Sequence, residues 1–310
     1  MNEFELIAAI NRYTSHLPDN GFEGIGDDCA VLPLGDEALV FTTDALSEGV
    51  HFLTATTSAI DLGHKALAVN LSDVAAMGVR PVAVLLTLSL PREVEEHWVL
   101  DFMVGFAELA QHYGVALIGG DTTRSEGGIQ ISVTAIGRGP LRHIKRRSAA
   151  QVGDIILVSD RLGGSAAGLR QLWEGKVQSP EIEQHRRPMP EVEVGAWLGA
   201  REEVHAMMDL SDGLKSDLRH ILNASQVGAE VQVNNIPRAA NTTLGDCWCG
   251  GEDYKLLLTA DPRQAGILCE EFEAQFGRNL AVIGHITEQG LRWFDHHQEV
   301  SCDYEGFSHF

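Results

Sequence analysis

The chain is poor in cysteine and in positive charge and lacks a long apolar run, and each shortage removes a class of function. Five cysteines are scattered over 310 residues, an odd number with no C-x-x-C pair. A disulfide framework or a four-ligand zinc site requires more. Cys247 and Cys249 flank a tryptophan without further ligands of zinc spacing, and His296-His297 stands without a Cys or carboxylate cluster. Reduced thiols and a solvated loop are the readings for these two features. Lys and Arg total 23 against 44 Asp and Glu, a formal net charge of −21. A surface that negative repels nucleic acid and anionic lipid. The longest apolar stretches, Pro81–Leu90 among them, fall far short of the roughly 20 residues that span a bilayer. The opening MNEFELIAAINRY is acidic where a secretory signal is basic. A cytoplasmic protein with no nucleic-acid or membrane partner is expected.

Several catalytic signatures are missing as well. There is no GxxxxGK[ST] loop, since Gly175-Lys176 is followed by Val177, and no GxSxG, HExxH or strand-following GxGxxG. P-loop kinases, serine hydrolases, zincins and Rossmann dehydrogenases lose ground accordingly. What is present is ordinary globular composition, 44% hydrophobic and 22% charged, in a chain too long for one growing core. Helical periodicity marks Leu6–Tyr13, 60–77 (stopping at Gly78), 93–113 and a segment from about 213. Strands are expected at Leu39–Thr43, Val82–Leu90, Val115–Ile118, Ile129–Gly137, Ile155–Ser159 and near 207–209, 229–234, 254–259 and 280–286. The stretch 175–190, with Pro180, Pro188 and Pro190, reads as a polar connection. The basic run Arg142–Arg147 divides the pattern. The expected architecture is α/β, in α+β layers, with domains at 1–140 and 150–310.

The chemistry lies in glycines paired with aspartates at strand ends: Gly26-Asp27-Asp28, Thr42-Thr43-Asp44, Gly119-Gly120-Asp121 and Asp209-Leu210-Ser211-Asp212-Gly213. Carboxylates and hydroxyls are the hard oxygen ligands that Mg²⁺ takes, while turns use the same residue types. Asp73 weighs toward the cation. It sits one turn before the end of its helix, where a carboxylate opposes the helix dipole at a cost of about 0.3–1 kcal/mol. Asn70 shares its face. The glycine-rich GGSAAG (163–168) and GGDTTR (119–124) offer backbone N–H groups to anions, and the basic run before Ser148 offers charge to a nucleotide phosphate.

GIGDDCAV, TTDAL…GVHF, KALAVNLSDVAAMG, LIGGDTTR, DLSDGL and GGEDYKLLLT together resemble the thiamine-monophosphate kinase family. Its superfamily also holds aminoimidazole ribonucleotide synthetase, selenophosphate synthetase and a hydrogenase maturation factor. The resemblance runs from residue 4 to 310. It implies a two-domain protein whose N-terminal sheet dimerises, with ATP and several Mg²⁺ ions bound between the domains. The implied reaction is direct in-line transfer from ATP to thiamine phosphate, giving thiamine diphosphate. Carried over by position, Asp28, Thr42, Thr43, Asp44, Asp73, Asp121, Asp209 and Asp212 match metal ligands, with Asp44, Asp73 and Asp121 central to catalysis. Gly120, Asp121, Arg147 and Ser211 match nucleotide contacts. His51, Glu252 and Phe307 match the thiamine phosphate site, with Tyr304 and Phe310 as alternatives to Phe307. Asp27, adjacent to Asp28, leaves two candidates for one ligand.

Overall fold

The computed structural model describes residues 3–296 and 298–301. After α1 (Glu3–Thr14), β1 (Ala30–Leu34) and β2 (Glu37–Ser47) form an antiparallel hairpin. Then come α2 (Ala59–Ala76), β3 (Arg80–Leu90), α3 (Glu96–Tyr113), β4 (Ala116–Arg124) and β5 (Gln130–Pro140). The strands assemble in the order β1-β2-β5-β3-β4, all antiparallel except β3 and β4, which run parallel across the α3 crossover.

Period-two alternation on β2 buries Ala38, Val40 and Leu46 toward the helical side. Helix α2 is buried almost all round, the mark of a helix enclosed by packed elements rather than lying on a surface. Ser58 Oγ accepts the Asp61 N–H at 3.1 Å to start it. It crosses α3 so closely that a Cβ on Gly63 would lie 1.9 Å from the Phe102 carbonyl oxygen, and one on Gly105 1.8 Å from that of Ile60. Only glycine fits either position.

Two 3-10 turns, Leu141–His143 and Arg147–Ala149, lead into the second unit. It comprises β6 (Ile155–Val158), α4 (Gly164–Trp173), α5 (Pro180–Arg186), α6 (Val192–Gly199), β7 (Val204–Asp209), α7 (Leu214–Ser225) and β8 (Gly228–Gln232). α8 (Leu244–Cys249), β9 (Leu256–Ala260), α9 (Ala265–Phe276), β10 (Ala281–Thr287), β11 (Leu291–Asp295) and β12 (Gln298–Val300) complete it. The sheet order is β12-β11-β8-β10-β6-β9-β7. Ile156, Val158 and Leu257 face a core with Leu218, Ile221 and Trp248. Leu157, Leu256 and Leu258 face another with Leu268 and Phe272. Both faces are covered, so these strands read as unbroken apolar runs. Ala76 of α2 belongs to the second core, which makes α2 common to both units.

Three local readings change. GGDTTR lies inside β4 rather than beyond a strand end. The stretch read as a polar connection contains α5, with Ser179 accepting the Ile182 N–H at 3.0 Å and Pro180 in the first turn, a start signal that its prolines obscured. Helices α8 and α9 were not anticipated. No helix among the described residues is long and apolar enough to cross a membrane.

Candidate active site

Three aspartates from distant parts of the chain converge where α2 meets both sheets. Asp28 precedes β1, Asp73 lies in the last turn of α2 and Asp209 ends β7; one carboxylate oxygen of each lies within 4.8 Å of the others. Each carboxylate is held by a neighbour. Thr42 Oγ donates to Asp73 Oδ2 at 2.5 Å, and the buried Ser72 Oγ donates to Asp209 Oδ2 at 2.6 Å. The Asp44 backbone N–H donates to Asn70 Oδ1 at 2.9 Å. Alternation along β2 puts Thr42 and Asp44 on the α2 side. Thr43 faces the other way, its hydroxyl donating to the Val133 carbonyl at 3.1 Å.

Burial and mutual repulsion raise these carboxyls. Burial comes first for Asp44, followed by the charges of Asp212 and Asp28, and lifts it to about 6. Burial, then Asp44, Asp209 and Asp28, lift Asp73 well above the carboxylate range despite the Thr42 hydrogen bond. Asp209 is raised in the same way, by burial and then by Asp28, with Ser72 opposing. A cluster that resists ionisation is a cluster in want of positive charge.

Part of that charge comes from Arg147. Its Nη2 lies 2.6 Å from Asp28 Oδ1, while its backbone N–H donates to Asp27 Oδ2 at 3.1 Å. Asp28 therefore belongs to the converging trio and Asp27 to the turn that carries Arg147. Burial and the Asp28 charge raise Asp27 to about 7.

The remaining residues divide by location. Asp212 has a carboxylate oxygen within 4.8 Å of ligand atoms of Asp217 and His220, and its charge is felt by Asp44. Ser211 and Glu252 meet through their backbones, the Glu252 N–H donating to the Ser211 carbonyl at 2.7 Å. The Glu252 carboxylate is engaged by Lys65 Nζ at 2.6 Å and His185 Nδ1 at 3.1 Å. Burial pushes Glu252 up, but Lys65 and His185 hold it down at about 2. His51 Nδ1 accepts the Ser47 N–H at 3.0 Å, which leaves the proton of the neutral ring on Nε2.

Gly120 and Asp121 are not brought to the trio within one chain. They sit on β4, and β3 and β5 intervene before β2, about 14 Å along the sheet. Gly120 is required there, since a Cβ would lie 1.8 Å from the Leu86 carbonyl oxygen at φ +149°. GGSAAG does not serve as an open anion cradle: the Gly163 N–H donates to Asp253 Oδ2 at 2.7 Å, so an internal carboxylate takes the start of α4. Phe307, with its alternatives Tyr304 and Phe310, lies outside the described residues.

Sequence reasoning passed over Ser72 and Lys65. Ser72 and Lys65 stand inside the KALAVNLSDVAAMG motif, but their partners lie more than a hundred positions away. The trio presents only oxygen donors. At metal–oxygen distances of about 2.1 Å, opposed ligands of Mg²⁺ stand about 4.2 Å apart, which oxygens within 4.8 Å of one another meet after small adjustment. The arrangement suits hard cations that carry phosphate oxygens.

Comparison with known proteins matches both units of the chain. The model of the AIR synthase related protein N-terminal domain matches residues 26–139, and that of the C-terminal domain matches residues 151–294. Thiamine-monophosphate kinase of Haemophilus influenzae is 42% identical over 100% of this chain and 98% of its own. The solved structure of AaThiL complexed with AMPPCP and TMP has a TM-score of 0.85 and 31% identity, covering 100% of this chain and 97% of its own. Thiamine-monophosphate kinase from Stenotrophomonas maltophilia K279a has a TM-score of 0.77 and 39% identity, covering 94% of this chain and 96% of its own.

Proposed function

We infer the reaction from the family to which the chain belongs, the thiamine-monophosphate kinases of the AIR synthase related fold: it is an ATP-dependent kinase that phosphorylates thiamine phosphate to thiamine diphosphate. The observation that carries the assignment at the level of this chain is the convergence of Asp28, Asp73 and Asp209 from three separate segments. Phosphoryl transfer to a phosphate monoester requires little general-base help, because the acceptor oxygen is already anionic. The obstacle is to bring a phosphate and a triphosphate together inside a chain of net charge −21.

Magnesium held by Asp28, Asp73 and Asp209, with Asp44 and Asp212 beside them, would supply the neutralising charge. The protein's own part is positioning. Thr42 and Ser72 orient Asp73 and Asp209, and Asn70 fixes the backbone that carries Asp44. Arg147 offers its guanidinium to the nucleotide phosphates, with Ser211 as a further nucleotide contact. His51, with its proton on Nε2, is a donor to the acceptor phosphate. Glu252 faces the thiamine end, a subsite to which the family resemblance also assigns Phe307. Because Lys65 already compensates its charge, Glu252 orients the acceptor rather than attracting it by net charge. Transfer is in line and direct.

A homodimer formed through the N-terminal sheet belongs to this reading. Every residue of β4 is exposed, Leu117 and Ile118 included, and an edge with unpaired backbone and apolar side chains invites a second copy. Gly120 and Asp121 lie on that edge, so a nucleotide site that uses them is complete only when two chains meet. Thr43 faces the same outer side of the sheet. A cytoplasmic location fits Cys29, Cys247 and Cys269, which are free thiols.

The test is a coupled assay of ADP release with ATP, Mg²⁺ and thiamine phosphate, repeated with chelator and with a formylglycinamidine substrate. Turnover that requires Mg²⁺ and thiamine phosphate is expected. Turnover on the formylglycinamidine alone moves the chain to a sibling synthetase. Labelled phosphate trapped on the protein after incubation with ATP alone would rule out direct transfer.

A further inference from the structure

Lys65 is a charged side chain where none is expected, 2% exposed within α2. Its ammonium lies 2.6 Å from Glu252 Oε1, an ion pair that joins the N-terminal helix to a loop of the C-terminal unit. The other oxygen, Oε2, is 3.1 Å from His185 Nδ1, and the same ring nitrogen is 2.9 Å from Ser165 Oγ. The loop is held against its own preference. Glu252 and Tyr254 have φ of +65° and +50°, values that non-glycine residues adopt only when the surroundings impose them. Ser72 lies seven residues after Lys65, two turns along the same face of α2 and about 10.5 Å away. It grips Asp209 as Lys65 grips Glu252. One helix face thus holds the strand end that carries a trio carboxylate and the loop that carries Glu252.

We propose that Lys65 is the positioning residue of the acceptor subsite: it pins Glu252 and its strained loop to α2, the helix that also carries Asp73, and so holds in place the wall against which thiamine phosphate binds. The proposal rests on the reading that Glu252 faces the acceptor. Lys65 itself touches no substrate and acts only through Glu252, so removing either partner has the same consequence.

The experiment compares K65M, E252Q and K65M/E252Q as full-length enzymes, with KM for thiamine phosphate, KM for ATP and kcat measured separately. K65M is expected to raise the KM for thiamine phosphate at least tenfold, while KM for ATP and kcat change less than threefold. The double variant should match E252Q, because the second change removes nothing more. Loss of kcat with both KM values unchanged would assign Lys65 a purely structural role and overturn the proposal. A double variant tenfold worse than E252Q also overturns it, since Lys65 would then act independently of Glu252. If E252Q leaves the KM for thiamine phosphate unchanged, the acceptor reading of Glu252 is wrong. If E252Q raises it and K65M does not, the fault lies with Lys65. Should K65M alone fail to fold because Glu252 loses its ammonium partner, the charge-balanced double variant against E252Q gives the same decision.

Discussion

Asp44→Asn should produce a kinase that is dead and more stable than its parent. Burial, with the charges of Asp212 and Asp28, raises the Asp44 carboxyl from 3.8 to about 6. A carboxyl whose folded pKa lies above its unfolded one contributes stability that is intact below about pH 4 and is lost as pH rises through about 6. At ~1.36 kcal/mol per pH unit, ionising Asp44 at neutral pH costs the metal-free fold about 3 kcal/mol. Asparagine keeps the shape and discards the charge, and the Asn70 hydrogen bond survives because it is made by the backbone of residue 44.

Part of that gain is offset by burying an amide, which leaves about 1–3 kcal/mol. For domains of this size the gain corresponds to a rise of roughly 2–10 °C in Tm. The assay is thermal unfolding of both proteins in chelator at pH 7 and pH 4, then at pH 7 with Mg²⁺. In chelator at pH 7 the variant should melt higher; at pH 4, where the parent's carboxyl is protonated, that advantage should vanish and the variant should melt with the parent or below it by the cost of the buried amide. Added Mg²⁺ should raise the parent's Tm more than the variant's, and the variant's kcat should fall at least about 100-fold. A variant that melts at or below the parent at pH 7, or an advantage for the variant that persists at pH 4, refutes the reasoning.

Other expectations follow from neighbouring contacts. Ser72→Ala removes the hydroxyl that donates to buried Asp209 at 2.6 Å; the Mg²⁺ concentration for half-maximal activity should rise about tenfold, with KM for thiamine phosphate unchanged. A shift in the latter alone would place Ser72 elsewhere in the mechanism. Leu117→Asp puts a charge on the exposed edge strand β4, and sedimentation should show monomers with little activity; an intact, active dimer would remove β4 from the interface. Phe307→Ala should raise the KM for thiamine phosphate several-fold, and an unchanged value would transfer the stacking role to Tyr304 or Phe310.

What the sequence disclosed depended on how far apart the interacting residues stand. Strong periodicity placed α2, α3 and most central strands within a few positions. Asp73 was legible as a functional residue because it sits badly for its own helix, and its shared face with Asn70 is what the structure shows: both point at β2, one to Thr42 and the other to the backbone of Asp44. GGSAAG illustrates the limit. A glycine-rich helix start advertises an anion site, but whether the anion is a substrate or the protein's own Asp253, ninety positions away, is decided only by folding.

Lys65 shows why the buried half of the site was hidden. A lysine in a helical motif reads as a solvated charge, because its class is almost never fully buried without a partner. The partner here is a glutamate 187 positions later, in a loop whose left-handed residues carry no glycine to announce them. Ser72 is hidden for the same reason, its acceptor lying 137 positions away. Helix α2 resolves both cases through its period alone. Asn70 and Asp73 lie about 60° apart around the axis and face β2, while Ser72, nearly opposite Asn70, faces Asp209. A helix enclosed on every side can place polar groups in opposite directions only if each finds a partner, since an unsatisfied buried group costs about 1–3 kcal/mol. Two-sided polarity in an otherwise apolar helix is therefore the sequence-level trace of a helix that holds two domains to one site.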